Sequence, residues 1–169
     1  MTRFTAFRLH QGEERPDGRL VEMSIDDLSP GEVTIRVACS SLNYKDALAA
    51  AGANKLITRF PRIGGIDLAG TVCASRDARF REGDPVIVHG FGIGIDHDGG
   101  HAEYARVAAE WVMPLPRGLD LFEAATLGAA GYTAGLSLHL MELNGLAPDR
   151  GPVVVTGATG GVASIAIDM

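Results

Sequence analysis

The pattern of apolar and polar positions changes character near residue 116. Before it, short runs suit strands. "EVTIRVACSSL" places Val33, Ile35, Val37 and Cys39 on one face and Thr34, Arg36 and Ala38 on the other. That two-residue period predicts a half-buried strand. "FTAFRLH", "GGIDLAGTVCAS", "GDPVIVHG" and "GHAEYARV" predict further strands, and the glycines and prolines between them suit a sandwich or barrel. The polar tract "QGEERPDGR" predicts a loop after the first strand. Within this region "NYKDALAAAG" has helical spacing, and Gly52 stops it.

After Pro116, "DLFEAATLG" and "AGYTAGLSLHLMELNG" have helical spacing. Leu136, Leu140 and Leu143 share a face, and Gly145 ends the run. "APDRG" is a polar loop. "PVVVT" predicts a buried strand of a parallel sheet, and "GATGGVAS" turns from it into a last helix. The fold class expected is therefore α/β with two domains. A β-rich domain covers residues 1–119, and the opening of a nucleotide-binding α/β domain covers 120–169.

A strand, a glycine-rich turn and a helix N-terminus together make a phosphate site. Backbone N–H groups point at the anion, and missing side chains let it approach. The candidates are Thr159, Gly160, Gly161 and Val162, with the hydroxyl of Ser164 in the first helical turn. The chain stops inside this predicted helix. A doubly wound sheet needs about five more β–α units of roughly 30 residues each. The expectation is the front part of a longer enzyme.

Composition narrows the class. With 46% hydrophobic residues the chain can bury a sizeable core. A net charge of −6 argues against nucleic acid as a partner. The N-terminus turns charged too soon for a signal peptide, and no apolar run reaches the roughly 18 residues of a membrane span. The expected location is the cytoplasm, with no membrane partner. Cys39 and Cys73 form no C-x-x-C pair, and Cys39 on the apolar face reads as a buried thiol. "DHDGGH" gathers Asp96, His97, Asp98 and His101 in six residues, but its glycines make a solvated loop the preferred reading over a metal site. His10, His89 and His139 read as structural.

Four stretches taken together carry a resemblance: "SSLNYKDALAAAG", "FPRIGGIDLAGTV", "REGDPVIVHGFGIGIDHDGGHAEYARV" and "VVVTGATGGVAS". In this order they resemble the quinone-oxidoreductase-like branch of the zinc-free medium-chain dehydrogenase/reductases, the acryloyl-CoA reductases among them. The resemblance implies a GroES-like catalytic domain ahead of a Rossmann domain, NADPH as cofactor and a homodimer for the intact enzyme. The reaction it implies is reduction of an activated carbon–carbon double bond in a small enoyl-CoA or enone, acryloyl-CoA to propionyl-CoA foremost. A quinone oxidoreductase is the alternative within the class, and a non-catalytic β-domain module is the alternative outside it. Zinc-dependent relatives carry a cysteine in the region of Asn43–Tyr44 and G-H-E where this chain has Gly65-Ile66-Asp67. The thiol and the histidine are missing here, so no metal is expected.

Without a metal, donors aimed at the developing enolate oxygen must supply much of the rate. Asn43 and Tyr44, where a strand ends and a helix begins, are the candidate catalytic pair. Both carry donors, and asparagine also suits a helix N-cap for its own sake. The resemblance places Tyr44 against the nicotinamide as well. Arg59 and Arg62, around "RFPRIGG", are candidates for the phosphates of a CoA substrate, with ordinary surface arginines as the alternative.

Overall fold

The computed structural model describes residues 2–169. The chain divides into two compact units, one ending at Thr126 and one spanning Leu127–Met169.

The first unit is built on two antiparallel sheets. Strands β1 (Arg3–His10), β2 (Asp17–Ser24) and β4 (Arg62–Ile63) form one, in the order β2-β1-β4. Strands β3 (Val33–Cys39), β5 (Asp67–Ser75), β6 (Pro85–His89), β7 (Tyr104–Val107) and β8 (Met113–Pro114) form the other, in the order β7-β3-β5-β6-β8. The alternation read in β3 holds: Val33 and Ile35 are fully buried, Arg36 is exposed, and Cys39 is half-buried beside Ala69 and Ile87. Val33, Ile35, Leu68, Val72, Val86, Val88 and Val107 form the main core. The smaller sheet packs around Phe4, Met23, Leu28 and Ile63.

The tract "QGEERPDGR" is only partly a loop. Asp17, Gly18 and Arg19 open β2, in full register with the end of β1, so that His10 faces Asp17 and Leu9 faces Gly18. β2 is an edge strand whose first four residues are exposed. An edge strand can keep polar side chains in water while its backbone pairs, which is why its polarity hid it. Residues 101–103 join the two sheets. His101 and Glu103 bond to the β1 side, and the Val37 amide donates to the Glu103 carbonyl at 2.9 Å.

"DHDGGH" is not a solvated loop. Asp98 is buried and accepts from the Ser29 amide (2.9 Å), the Ser29 hydroxyl (2.7 Å), the Ile63 amide (3.1 Å) and the Arg62 guanidinium (3.3 Å). Burial works against its charge. The donors on Ile63 and Ser29 and the Arg62 cation outweigh that and hold the carboxyl below the usual carboxylate range. Gly99 and Gly100 lie so close to the backbone of Gly65 and Asp67 that a side chain at either would overlap a carbonyl oxygen. Glycine serves close approach here, not mobility.

Helix α1 (Tyr44–Ala51) follows β3 and ends at Gly52, which takes the left-handed conformation (φ 73°). Helix α2 (Leu121–Leu143) opens on a reciprocal cap. The Asp120 amide donates to the Glu123 carboxylate at 2.8 Å, and the Glu123 amide donates to the Asp120 carboxylate at 2.7 Å. Its first turns bury Ala124 and Ala125 with Ala69 and Ile87 of the first unit. Gly128 (φ 48°, ψ −150°) breaks it, where the sequence predicts two helices.

In the second unit Leu136, Leu140 and Leu143 are exposed, and Gly145 (φ 94°) ends the helical run. The predicted strand "PVVVT" does not form. Residues 152–155 join no ladder, and Val154 is 84% exposed. β propensity alone does not make a strand, because the ladder needs a neighbour; no described residue supplies one. Helix α3 (Gly161–Asp168) closes the chain.

Candidate functional site

The site is assembled at the junction of β3, α1 and β5. Asn43 is extended (φ −109°, ψ 156°), so the chain leaves β3 and turns into α1 at Tyr44. The Asn43 amide donates to one oxygen of the Asp46 carboxylate at 2.8 Å. The other oxygen accepts from the Ile66 amide at 3.0 Å. Asp46 is buried and ties the first turn of α1 to the start of β5.

Asp67 is the centre of the arrangement. It is 1% exposed and accepts from the Ser41 amide (2.8 Å), the Ser41 hydroxyl and the side-chain nitrogen of Asn43 (2.9 Å). That same Asn43 nitrogen donates to the Ser41 hydroxyl oxygen at 2.9 Å, and the Ser40 hydroxyl donates to the Asp67 carbonyl at 2.8 Å. A carboxylate can only accept, so the Asn43 amide must present its NH₂ to it. Both amide protons of Asn43 are thereby used inward. Opposite Asp67 on β6 stands His89. Burial pushes its imidazole below the ordinary histidine range, while the Asp67 charge pulls the other way.

Tyr44 does the opposite of Asn43. It is 80% exposed and stands on the rim of an open groove of about 670 Å³. The walls are largely apolar, with Phe7, Leu9, Leu42, Ala47 and Ala50 among them. His101 lies in the same groove. Its Nε2 donates to the Ser41 carbonyl at 3.3 Å, and its ring is tilted against Phe7 at 6.5 Å.

The expected catalytic pair is thus adjacent but faces two ways: Asn43 is locked into the fold and Tyr44 is free. The two arginines do not converge. Arg59 is exposed on the loop after α1. Arg62 points inward to Asp98 and to the Ser29 hydroxyl (3.1 Å), and its side chain is 13% exposed. Asp96, His97, Asp98 and His101 do not gather either. His97 Nε2 is 2.9 Å from the Pro30 carbonyl with its ring edge-on to Trp111, and the described residues contain no cluster of three or more His, Cys, Asp or Glu suited to a metal.

Thr159, Gly160, Gly161, Val162 and Ser164 stand together in the second unit, at the start of α3. Gly157 (φ 69°) makes the turn, and its carbonyl accepts from the Gly160 amide at 2.8 Å. Gly160 is the N-cap, and the Ser164 hydroxyl donates to the Gly161 carbonyl at 3.1 Å. Gly160 and Gly161 are exposed, and their faces lack side chains. The first amides of a helix have no partner within it, so this turn fits a phosphate group.

Ser41, Asp46 and Asp67 were not among the candidates the sequence suggested, and His101 was weighed there only as a metal ligand. Asp67 left a trace: one carboxylate inside the apolar run "GGIDLAG" must be buried, and a buried carboxylate must find donors.

Residues 29–117 match the alcohol dehydrogenase GroES-like domain. The chain is 48% identical over 98% of its length to YhfP of Bacillus subtilis, which bears the name quinone oxidoreductase, and covers 51% of it. A crystal structure of YhfP with NAD bound superposes with a TM-score of 0.95 over 99% of this chain and 51% of that one, at 47% identity. The acrylyl-CoA reductase AcuI of Ruegeria pomeroyi is 43% identical over 96% of this chain and 50% of its own. The yhdH oxidoreductase of Salmonella enterica, in complex with NADP, superposes with a TM-score of 0.94 at 47% identity, over 96% of this chain and 50% of that one. The chain spans about half the length of the curated relatives it matches.

Proposed function

The chain belongs to the alcohol dehydrogenase GroES-like family, in the branch of the medium-chain dehydrogenase/reductases that holds YhfP and AcuI, and from that premise we propose that it serves an NADPH-dependent reductase of activated carbon–carbon double bonds. The preferred substrate in this reading is acryloyl-CoA, reduced to propionyl-CoA. The observation that carries the reading is the free Tyr44 hydroxyl on an apolar groove, held at a helix start that Asp46 and Asp67 fix from below. Residues 1–119 make the catalytic domain, and residues 120–169 open the Rossmann domain. Homodimer formation and a cytoplasmic location belong to the same reading.

When bound, the reduced nicotinamide supplies a hydride for the β-carbon of the substrate. The chain's own residues do the rest. The amides at Gly161 and Val162, with Thr159, Gly160 and Ser164 beside them, would hold the pyrophosphate through the helix N-terminus. Tyr44 would border the nicotinamide. Its hydroxyl donates a hydrogen bond to the substrate carbonyl oxygen as charge gathers there. Asn43 keeps that turn rigid through Asp67. The apolar walls exclude water from the enone and strengthen the hydrogen bond. Arg59, exposed on its loop, is the better placed of the two arginines to meet a CoA phosphate.

A donor that acts on the developing enolate is felt in turnover more than in substrate binding. In the protein at its full natural length, Tyr44→Phe lowers kcat on acryloyl-CoA by about 10²–10³ with little change in KM. Steady-state kinetics with NADPH checks this, and unchanged turnover refutes the role of Tyr44. A second reading, a quinone reductase, is favoured by the name YhfP carries. Higher kcat/KM on 1,4-benzoquinone than on acryloyl-CoA would establish it.

A further inference from the structure

The groove holds a second polar atom, and it is an acceptor. His101 Nε2 lies 3.3 Å from the Ser41 carbonyl oxygen, which can only accept, so Nε2 carries the proton. In the neutral imidazole Nδ1 then offers a lone pair. Nδ1 lies beside the spot where a side chain at residue 64 would begin: a Cβ on Gly64 would stand 3.2 Å from it. Gly64 has no Cβ, so the spot is a notch in the groove wall. The main chain that carries the ring is held on both sides. The His101 amide donates to the Gly64 carbonyl at 2.9 Å, and the Phe7 amide donates to the His101 carbonyl at 2.8 Å.

The other polar side chains on this groove are used. Asn43 gives both amide protons inward, and the Asp46 carboxylate accepts from Asn43 and Ile66. Among the side chains, that leaves the Tyr44 hydroxyl as the outward donor and His101 Nδ1 as the outward acceptor. A polar atom on an apolar wall is matched by a ligand group of opposite kind, since an unmatched one costs binding energy.

Resting on the reading of the site as an enone reductase, we infer that His101 is a specificity residue whose Nδ1, in the notch left by Gly64, accepts a hydrogen bond from an N–H on the substrate. The substrate class is therefore an acyl thioester with an amide along its thiol arm, as in the pantetheine portion of CoA. Tyr44 takes the thioester carbonyl, and His101 takes the amide N–H. Oxidised quinones and simple enones offer carbonyl oxygens only and leave Nδ1 unmatched.

The test uses the protein at its full natural length with NADPH and two substrates, acryloyl-CoA and S-ethyl thioacrylate, which lacks the amide. The readout is the ratio of their kcat/KM values. His101→Phe keeps a ring and removes the acceptor; it lowers the ratio about tenfold, the worth of one hydrogen bond. Gly64→Ala fills the notch and does the same. His101→Asn, whose Oδ1 stands near the former Nδ1, keeps most of the preference, which a merely structural role for His101 would not allow. In ¹⁵N-histidine-labelled protein, S-propionyl-N-acetylcysteamine shifts the His101 Nδ1 resonance and S-ethyl thiopropionate does not. An unchanged ratio in His101→Phe and Gly64→Ala overturns the inference and leaves the reductase reading standing. A shifted Nδ1 resonance without reduction of either substrate overturns the reductase reading and supports the notch. A resonance that moves with neither thioester overturns the inference.

Discussion

Removing the Asp98 carboxylate tests the claim that the "DHDGGH" segment is a structural pin. Asp98→Ala leaves the amides of Ser29 and Ile63 and the guanidinium of Arg62 without their acceptor. The Asp98 and Arg62 side chains are only 5% and 13% exposed, so water replaces little of what is lost. Breaking one partner out of a buried ion pair costs about 3–5 kcal/mol. At a urea dependence of about 2 kcal/mol per molar, the midpoint falls by roughly 1.5–2.5 M. Trp111, the single tryptophan, reports directly, since its ring meets His97 edge-on at 5.1 Å beside Asp98. Adding Arg62→Met removes the stranded cation and recovers part of the loss, so the double variant is more stable than the sum of the single changes predicts. The pH dependence has a definite sign. The fold holds the Asp98 carboxyl below its ordinary range, so its contribution is complete above about pH 4 and fades as pH falls through the folded value. The acid limb of the wild-type stability curve is therefore steeper than that of Asp98→Ala. A midpoint shift under about 0.5 M, with parallel acid limbs, would refute the reasoning.

Gly100→Ala puts a methyl group into the Asp67 carbonyl oxygen and within 2.8 Å of the Ser40 hydroxyl. It destabilises by about 1–3 kcal/mol or more, and urea unfolding within about 0.5 kcal/mol of wild type would show that the backbones can part. His89 titrates below about 6.5 in a ¹³C-resolved NMR titration, because burial favours its neutral form. Its contribution to stability is present above that pH and is lost as pH falls. In Asp67→Asn the midpoint moves lower still, since the opposing charge is gone.

The strands of the first unit were legible where one face met the core and the other met water. Val33, Ile35 and Arg36 obey that contrast, and so does the stop at Gly52. The start of β2 was not legible, because an edge strand with exposed side chains has no contrast to show. "PVVVT" failed for the reverse reason: its composition asks for a sheet, and the described residues pair nothing with it. At the site, the turn carrying Asn43 and Tyr44 could be read from the sequence, but the direction of each side chain could not. Asn43 turns inward because Asp67, distant in sequence, is buried and needs donors. The role of Asp98 was hidden similarly. Glycines on both sides suggest a mobile loop until the backbone of Gly65 and Asp67 is seen pressed against them.

The clasp of Ser41, Asn43 and Asp67 constrains how the site can vary under selection. These three side chains interlock, so a change at any one leaves a buried polar atom unmatched. They are expected to drift as a trio or not at all. Tyr44, the next residue along, contributes almost nothing to the interior, and exchanging it should leave stability within about 0.5 kcal/mol. New chemistry can be tried at position 44 with little risk to the fold. A library aimed at altered substrate preference would therefore saturate position 42, keep the Tyr44 hydroxyl, and leave the trio untouched.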